Sequence, residues 1–157
     1  MNLREVSVAE VRALLTVPPG SVDQPVSWHP DYPRPETFDG WAMVLAAHEV
    51  MGLTGRPRWW THQIVDDGEV VGDIGFHGPP ADRGEQVVEI GFDVVPARRG
   101  QGLATRACGM IIELAWRDGA DRVVARTDPD NTASQKVLLH NGFTASGLDG
   151  YRIERPR

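Results

Sequence analysis

Apolar and polar residues change their spacing several times along this chain, and each change marks an element. Residues 2–6 alternate like a short edge strand, and Val8 to Leu15 repeats with helical spacing. Residues 17–37 hold six of the twelve prolines (Pro18, Pro19, Pro25, Pro30, Pro33 and Pro35), which predicts an irregular loop. Past it, Asp39 is placed to cap a helix carrying Met43, Leu45, Ala46, Ala47, Val50 and Met51, ended by Gly52 or Gly55.

From Trp59 the period falls to two. Trp59 to Asp66 and Glu69 to His77 flank an Asp67-Gly68 turn, which predicts a β-hairpin. A loop from Gly78 to Gly84 leads to a third strand, Gln86 to Val95. The period then returns to helical: Leu103, Ala104, Ala107, Met110, Ile111, Leu114 and Ala115 share one face, and Asp118-Gly119 stops the helix. Arg122 to Thr127 predicts another strand. Asp128-Pro129-Asp130-Asn131 turns into a second helix, Thr132 to His140, closed by Asn141-Gly142. Phe143 to Ser146 and Tyr151 to Glu154 read as a terminal hairpin around Leu148-Asp149-Gly150. This order predicts an α/β (α+β) fold built around one mixed sheet.

At 157 residues the chain suits one domain with a real core. Its 41% hydrophobic and 24% charged content is ordinary for a soluble protein, and no window approaches 18 consecutive apolar residues. The start Met1-Asn2-Leu3-Arg4-Glu5 has no apolar signal core, so a cytoplasmic location is expected, with no membrane partner. A single cysteine, Cys108, rules out a disulfide framework and a cysteine-type zinc site, and its place in an apolar helical pattern suits packing. No metal is expected. The net charge of −6 argues against a nucleic-acid partner and is compatible with a cationic substrate.

The chemistry concentrates at Val94-Val95-Pro96-Ala97-Arg98-Arg99-Gly100-Gln101-Gly102-Leu103-Ala104-Thr105. Strand, glycine-containing turn and helix start is the order that builds a phosphate cradle, because unpaired N–H groups of a first helical turn point at the anion. Spacing excludes two common cradles. No lysine follows Gly102 as a P-loop requires, and Thr105 stands where a dinucleotide fingerprint needs glycine. The two glycines alone suit a bare strand-to-helix connection equally well.

Three segments resemble one family. Arg99-Gly100-Gln101-Gly102-Leu103-Ala104 resembles the Q/R-x-x-G-x-G/A motif of the GNAT superfamily of N-acetyltransferases. Glu89-Ile90-Gly91-Phe92 resembles the strand that leads into that motif. Asn131 to Leu138, followed by Asn141-Gly142-Phe143, is similar to the family's second helix and the turn after it. The resemblance implies a central sheet of six to seven strands, mostly antiparallel and splayed at the cofactor site. It divides a single domain, 1–157, into an acceptor-side region (1–57), an acetyl-CoA-binding core (58–146) and a C-terminal strand (147–157).

The resemblance also implies acetyl-coenzyme A as co-substrate and a primary amine as acceptor, either a small molecule or a protein N-terminus, in a monomer or homodimer. Its pyrophosphate would meet the N–H groups of Arg99, Gly100, Gln101, Gly102, Leu103 and Ala104, with the Thr105 hydroxyl beside them. Arg98 and Arg99 are placed to add charge. The pantetheine arm would pair with the backbone of Phe92, Val94 and Val95. Many relatives carry a tyrosine seven residues past the helix asparagine, as acid for the leaving thiolate; here that residue is Leu138. Asn131 and Ser134 instead match the branch that acetylates ribosomal-protein N-termini (RimJ/RimL type). That match assigns Asn131 to the pantetheine arm and Ser134 to the sulfur, while both residues also suit helix capping.

Direct attack needs a neutral amine. Deprotonating an α-amine at pH 7 costs about 1 kcal/mol, but a lysine-type amine costs about 4–5 kcal/mol, so a base matters most for the latter. Glu89 is the first candidate base. Asp93, His77 and Glu49 are further ones. Trp28, Tyr32 and Trp41 are candidates to line the acceptor pocket, with core packing as their ordinary role. A coenzyme A-binding module that has lost its chemistry is the alternative to an acetyltransferase.

Overall fold

The computed structural model describes all residues except 19–20, 53–56, 81–83 and 148–149. The chain runs β1 (Asn2–Glu5), α1 (Val8–Thr16), β2 (Ser27–Trp28), α2 (Pro35–Val50), β3 (Thr61–Asp66), β4 (Glu69–Phe76), β5 (Val87–Val94), α3 (Leu103–Arg117), β6 (Arg122–Arg126), α4 (Thr132–His140), β7 (Thr144–Ala145) and β8 (Gly150–Glu154). Eight strands among the described residues form one sheet in the order β1-β3-β4-β5-β6-β8-β7, with β2 on the free end of β4. The pairings are antiparallel except β5 with β6 and β2 with β4. No helix among the described residues is long and apolar enough to cross a membrane.

The period-two and period-3.6 segments fold where their patterns place them. Two differences lie in the proline-rich stretch. It contains the two-residue strand β2, which makes eight strands where six to seven were expected. It also ends earlier: α2 starts at Pro35, not after Asp39, because a proline at the first helical position gives up only an N–H that has no partner there. Gly52, with φ of 64°, follows the Met51 C-cap and ends that helix, while Gly55 lies outside the described residues. Trp59 and Trp60 precede β3 instead of opening it. They pack edge-on against Phe76 (5.2 Å) and His48 (5.1 Å), and Trp60 Nε1 donates to Val6 O. Of the expected terminal hairpin, residues 148–149 lie outside the described ones.

The core joins Trp41, Trp60, Ile64, Ile74, Phe76, Ile90, Leu103 and Ile111, each at most 2% exposed. In α3 the buried face is Leu103, Ala107, Cys108, Ile111, Ile112 and Ala115, so it is rotated toward Cys108 and Ile112, and Met110 is 37% exposed. The apolar residues of this helix cover more than half its circumference, and sequence spacing alone does not choose between them. Cys108 is fully buried, and burial pushes its thiol up to about 12, which suits packing. Ile111→Ala is therefore expected to lower unfolding free energy by about 2–5 kcal/mol in urea melts. Met110→Ala, one residue earlier, should cost no more than about 0.5 kcal/mol.

Candidate active site

Strand β5 outlasts its partner. Val87 to Ile90 pair with Arg122 to Ala125, and β6 then leaves through Thr127-Asp128-Pro129 while β5 continues to Val94. Pro129 carries no N–H and cannot extend a ladder. Two hydrogen bonds, Val95 N–H to Val71 O and His77 N–H to Glu89 O (both 2.9 Å), show that the odd-numbered residues of β5 turn their backbone toward β4. Phe92 and Val94 therefore face the gap that β6 has left. The Val94 carbonyl there accepts from Arg99 Nε at 2.8 Å.

Beyond Val95, a 3₁₀ turn (Pro96–Arg98) leads into Gly100 and Gly102, both at φ of 73°, where an L side chain would be strained. The first α3 bond runs from Arg106 N–H to Gly102 O. Among the described residues, the N–H groups of Gly100 to Thr105 have no protein acceptor, and they open on unfilled space in front of both glycines. The Arg99 N–H is donated to Pro96 O, so the run of free donors starts one residue later than the motif suggests. Arg98 pairs with Asp66 (2.7 Å) and Glu69 (3.5 Å) of the β3–β4 hairpin and also lines the cleft along the turn.

Two clefts meet at this gap. One of about 350 Å³ lies along the turn and is lined by Val94, Arg99, Gly100, Gly102, Leu103, Ala104 and Thr105. The other, of about 670 Å³, lies toward α2 and includes Trp41, Asp73, His77 and Gly91. Phe92, Asp93, Asn131 and Ser134 line both. Asn131 caps α4, its Oδ1 accepting from Ser134 N–H at 3.1 Å, which leaves the Ser134 hydroxyl without a protein partner among the described residues. Asn141 Nδ2 donates to Thr105 O and Val137 O and fastens α4 to the start of α3. Gln101 lines a neighbouring depression of about 450 Å³ between α3 and α4, with Arg106, Lys136 and His140.

The remaining sequence candidates divide. Trp41 lines the larger cleft; Trp28 and Tyr32 stand behind it, stacked edge-on in series (5.1 and 6.5 Å). Val95 is fully buried, with its N–H in the ladder to β4. Glu89 is not among the residues lining either cleft. It pairs with His77 Nδ1 at 3.5 Å and Arg126 at 3.8 Å, and the His77 hydrogen bond holds its carboxyl below the usual range. Glu49 pairs with Arg12 on the surface.

Asp73 is the residue that sequence reading missed. It stands opposite Asp93 in the β4–β5 ladder, and Thr37 on α2 donates to it. Asp93 is neutralised by Arg34 (2.5 Å) and Arg99 (3.1 Å), whereas Asp73 has no cation within 4 Å among the described residues. Burial pushes its carboxyl up to about 7, and the Asp93 charge adds to that. The signal was present: Asp73 is the one ionisable residue between Val70 and Phe76.

The comparisons agree with this geometry. The family description "Acetyltransferase (GNAT) domain" matches residues 2–144. No curated protein matches the chain significantly. Solved structures similar to it include RimJ of Mycobacterium smegmatis in complex with CoA-disulfide, at 23% identity and TM-score 0.65, over 97% of this chain and 80% of that one. A ribosomal-protein-alanine N-acetyltransferase from Brucella melitensis aligns at 20% identity and TM-score 0.64, over 99% and 100%. The structure of yncA of Salmonella typhimurium with its cofactor acetyl-CoA aligns at 20% identity and TM-score 0.62, over 98% and 93%. An open, mostly antiparallel sheet flanked by helices defines the mixed α/β fold that these structures share. The chain belongs to the GNAT acetyltransferase family and is an acyltransferase.

Asp73 gives a pH test of the site's electrostatics. Its folded pKa is raised above the unfolded value, so its favourable contribution is complete at low pH and is lost as pH rises through about 7. Asp73→Asn should therefore gain stability over wild type at pH 8, on the order of 1–4 kcal/mol, and lose that advantage toward pH 4. Urea melts at both pH values measure it; an advantage independent of pH would contradict the assignment.

Proposed function

We propose that the protein transfers an acetyl group from acetyl-CoA to a primary amine by direct attack, with both substrates bound at once. The observation that carries this reading is the junction of the two clefts at Phe92, Asp93, Asn131 and Ser134. A donor laid along the smaller cleft would reach the larger one only there.

The smaller cleft suits the donor. Its diphosphate would take the N–H groups from Gly100 to Thr105 at the positive end of α3, using backbone donors in place of lysines. Arg106, Lys136 and His140 stand next to this turn for further phosphate charge. Pantetheine amides would meet the free backbone of Phe92, as a strand meets an open edge. The Ser134 hydroxyl would hydrogen-bond the sulfur, and Asn131 keeps Ser134 in place through the cap.

The larger cleft suits a cationic acceptor. Glu36, Asp39, Asp73, Asp93 and Asp128 line it against His77 and Arg126, so its charge favours an ammonium. A small amine and a protein N-terminus share that chemistry, and two of the similar structures are named as a ribosomal L7/L12 alpha-N-protein acetyltransferase and a ribosomal-protein-alanine N-acetyltransferase. Glu89, with His77, stands on the side of this cleft to which the amine's proton would go.

Isothermal titration should show acetyl-CoA binding near 10⁻⁶ M, about −8 kcal/mol. Thiol release across α-amines, ε-amines and aminoglycosides should then identify the acceptor. Ser134→Ala is expected to lower kcat about 10-fold, some 1.4 kcal/mol, at unchanged acetyl-CoA affinity. Tight binding with no transfer to any amine would instead indicate a coenzyme A-binding module, a reading favoured by Leu138, a fully buried apolar residue where many relatives carry an acid.

A further inference from the structure

His77 follows the end of β4 and lies opposite Glu89 of β5, one step past the last ladder pair Phe76–Ile90, joined by His77 N–H to Glu89 O at 2.9 Å. Opposite residues project from the same face, and Glu89 Oε1 lies 3.5 Å from His77 Nδ1. The other ring nitrogen is laid over Gly91: a Cβ on that glycine would come within 2.6 Å of Nε2. His77 and Gly91 line the acceptor cleft, and Glu89 does not. The carboxylate thus reaches the cleft only through the imidazole, and the imidazole occupies the space that a side chain at position 91 would fill.

We propose that His77 Nε2 is the catalytic base of the transfer and that Glu89 is its positioning residue, holding the ring through Nδ1. This rests on acetyl transfer being the reaction. The ammonium of the acceptor gives up two protons in the course of the transfer. One goes to Nε2 and frees the lone pair, which forms the C–N bond to the acetyl carbonyl as the C–S bond breaks. The second proton goes to the leaving sulfur, and the imidazolium returns its own to solvent. An ionised carboxylate on Nδ1 fixes the tautomer whose Nε2 is free and stabilises the imidazolium that forms.

The charges around the ring come from several elements. On β5, Glu89 is in contact with it, while Asp93 is neutralised by Arg34 and Arg99. From β6, Arg126 approaches Glu89 at 3.8 Å with a largely exposed side chain. Glu36 and Asp39 of α2, Asp73 of β4 and Asp128 line the same cleft. Their net negative charge favours an ammonium brought next to the ring.

The test uses the full chain. In NMR pH titrations without substrate, Glu89→Gln should lower the midpoint of the His77 Cε1–H resonance, since removing the carboxylate disfavours the charged ring. An unmoved midpoint overturns the pair whatever the activity. In kinetics with the amine found by thiol release, His77→Gln should lower kcat/KM about 10²- to 10⁴-fold near neutrality and abolish the acid limb of its pH profile. Its acetyl-CoA affinity, by titration calorimetry, should match wild type. Gly91→Ala, which displaces the ring and leaves it in place chemically, should reduce kcat at unchanged acetyl-CoA affinity. An active wild type whose His77→Gln variant keeps the acid limb and at least a third of kcat/KM overturns the base assignment alone. A wild type that acetylates no amine overturns acetyl transfer, and this assignment with it.

Discussion

The site depends on a mismatch of strand lengths. β5 and β6 share a parallel ladder for four residues, and then only β5 continues. Had β6 kept pace, Phe92 and Val94 would have spent their backbone groups inside the sheet. Because β6 turns away at Asp128-Pro129, those groups face a gap, and α4 is carried to the far side of it. An unpaired strand edge inside a protein is costly unless something else completes it. Arg99 covers one carbonyl of that edge. The rest is available to a ligand with amide groups of its own.

The gap also separates two electrostatic environments by the thickness of one strand. On the turn side stand unpaired N–H groups at a helix N-terminus, with Arg106, Lys136 and His140 close by. On the α2 side carboxylates dominate, and one of them, Asp73, has no cation within 4 Å among the described residues. Under the proposed reading, a polyanionic donor and a cationic acceptor would be drawn to opposite ends of one channel, with Ser134 lining both clefts where they would meet.

The fold was readable because its elements announce themselves through period and punctuation. The Asp67-Gly68 turn, the stop at Gly119 and the Asn131 cap are local signals, and all three survive in the structure. The turn before α3 was readable for the same reason, since its glycines and helix start are contiguous. What sequence could not give was anything made by pairing across strands. Asp73 meets Asp93, and Glu89 meets His77, only through the β4–β5 pairing, between positions 20 and 12 apart in the chain. Likewise the direction of the Arg98 side chain was set by Asp66, 32 residues earlier. The proline-rich segment misled in the opposite way: prolines exclude a helix interior but suit a helix start, and Pro35 is one.

The central claim is that the gap between β5 and β6, with the turn after it, is where the donor binds. Amide chemical shifts followed during titration with coenzyme A test it residue by residue. Phe92, the run from Gly100 to Thr105, and Ser134 should shift together with one affinity, while β1 and β8 stay unmoved. Shifts confined to other surfaces, or saturation that leaves the Gly100–Thr105 amides in place, would contradict it.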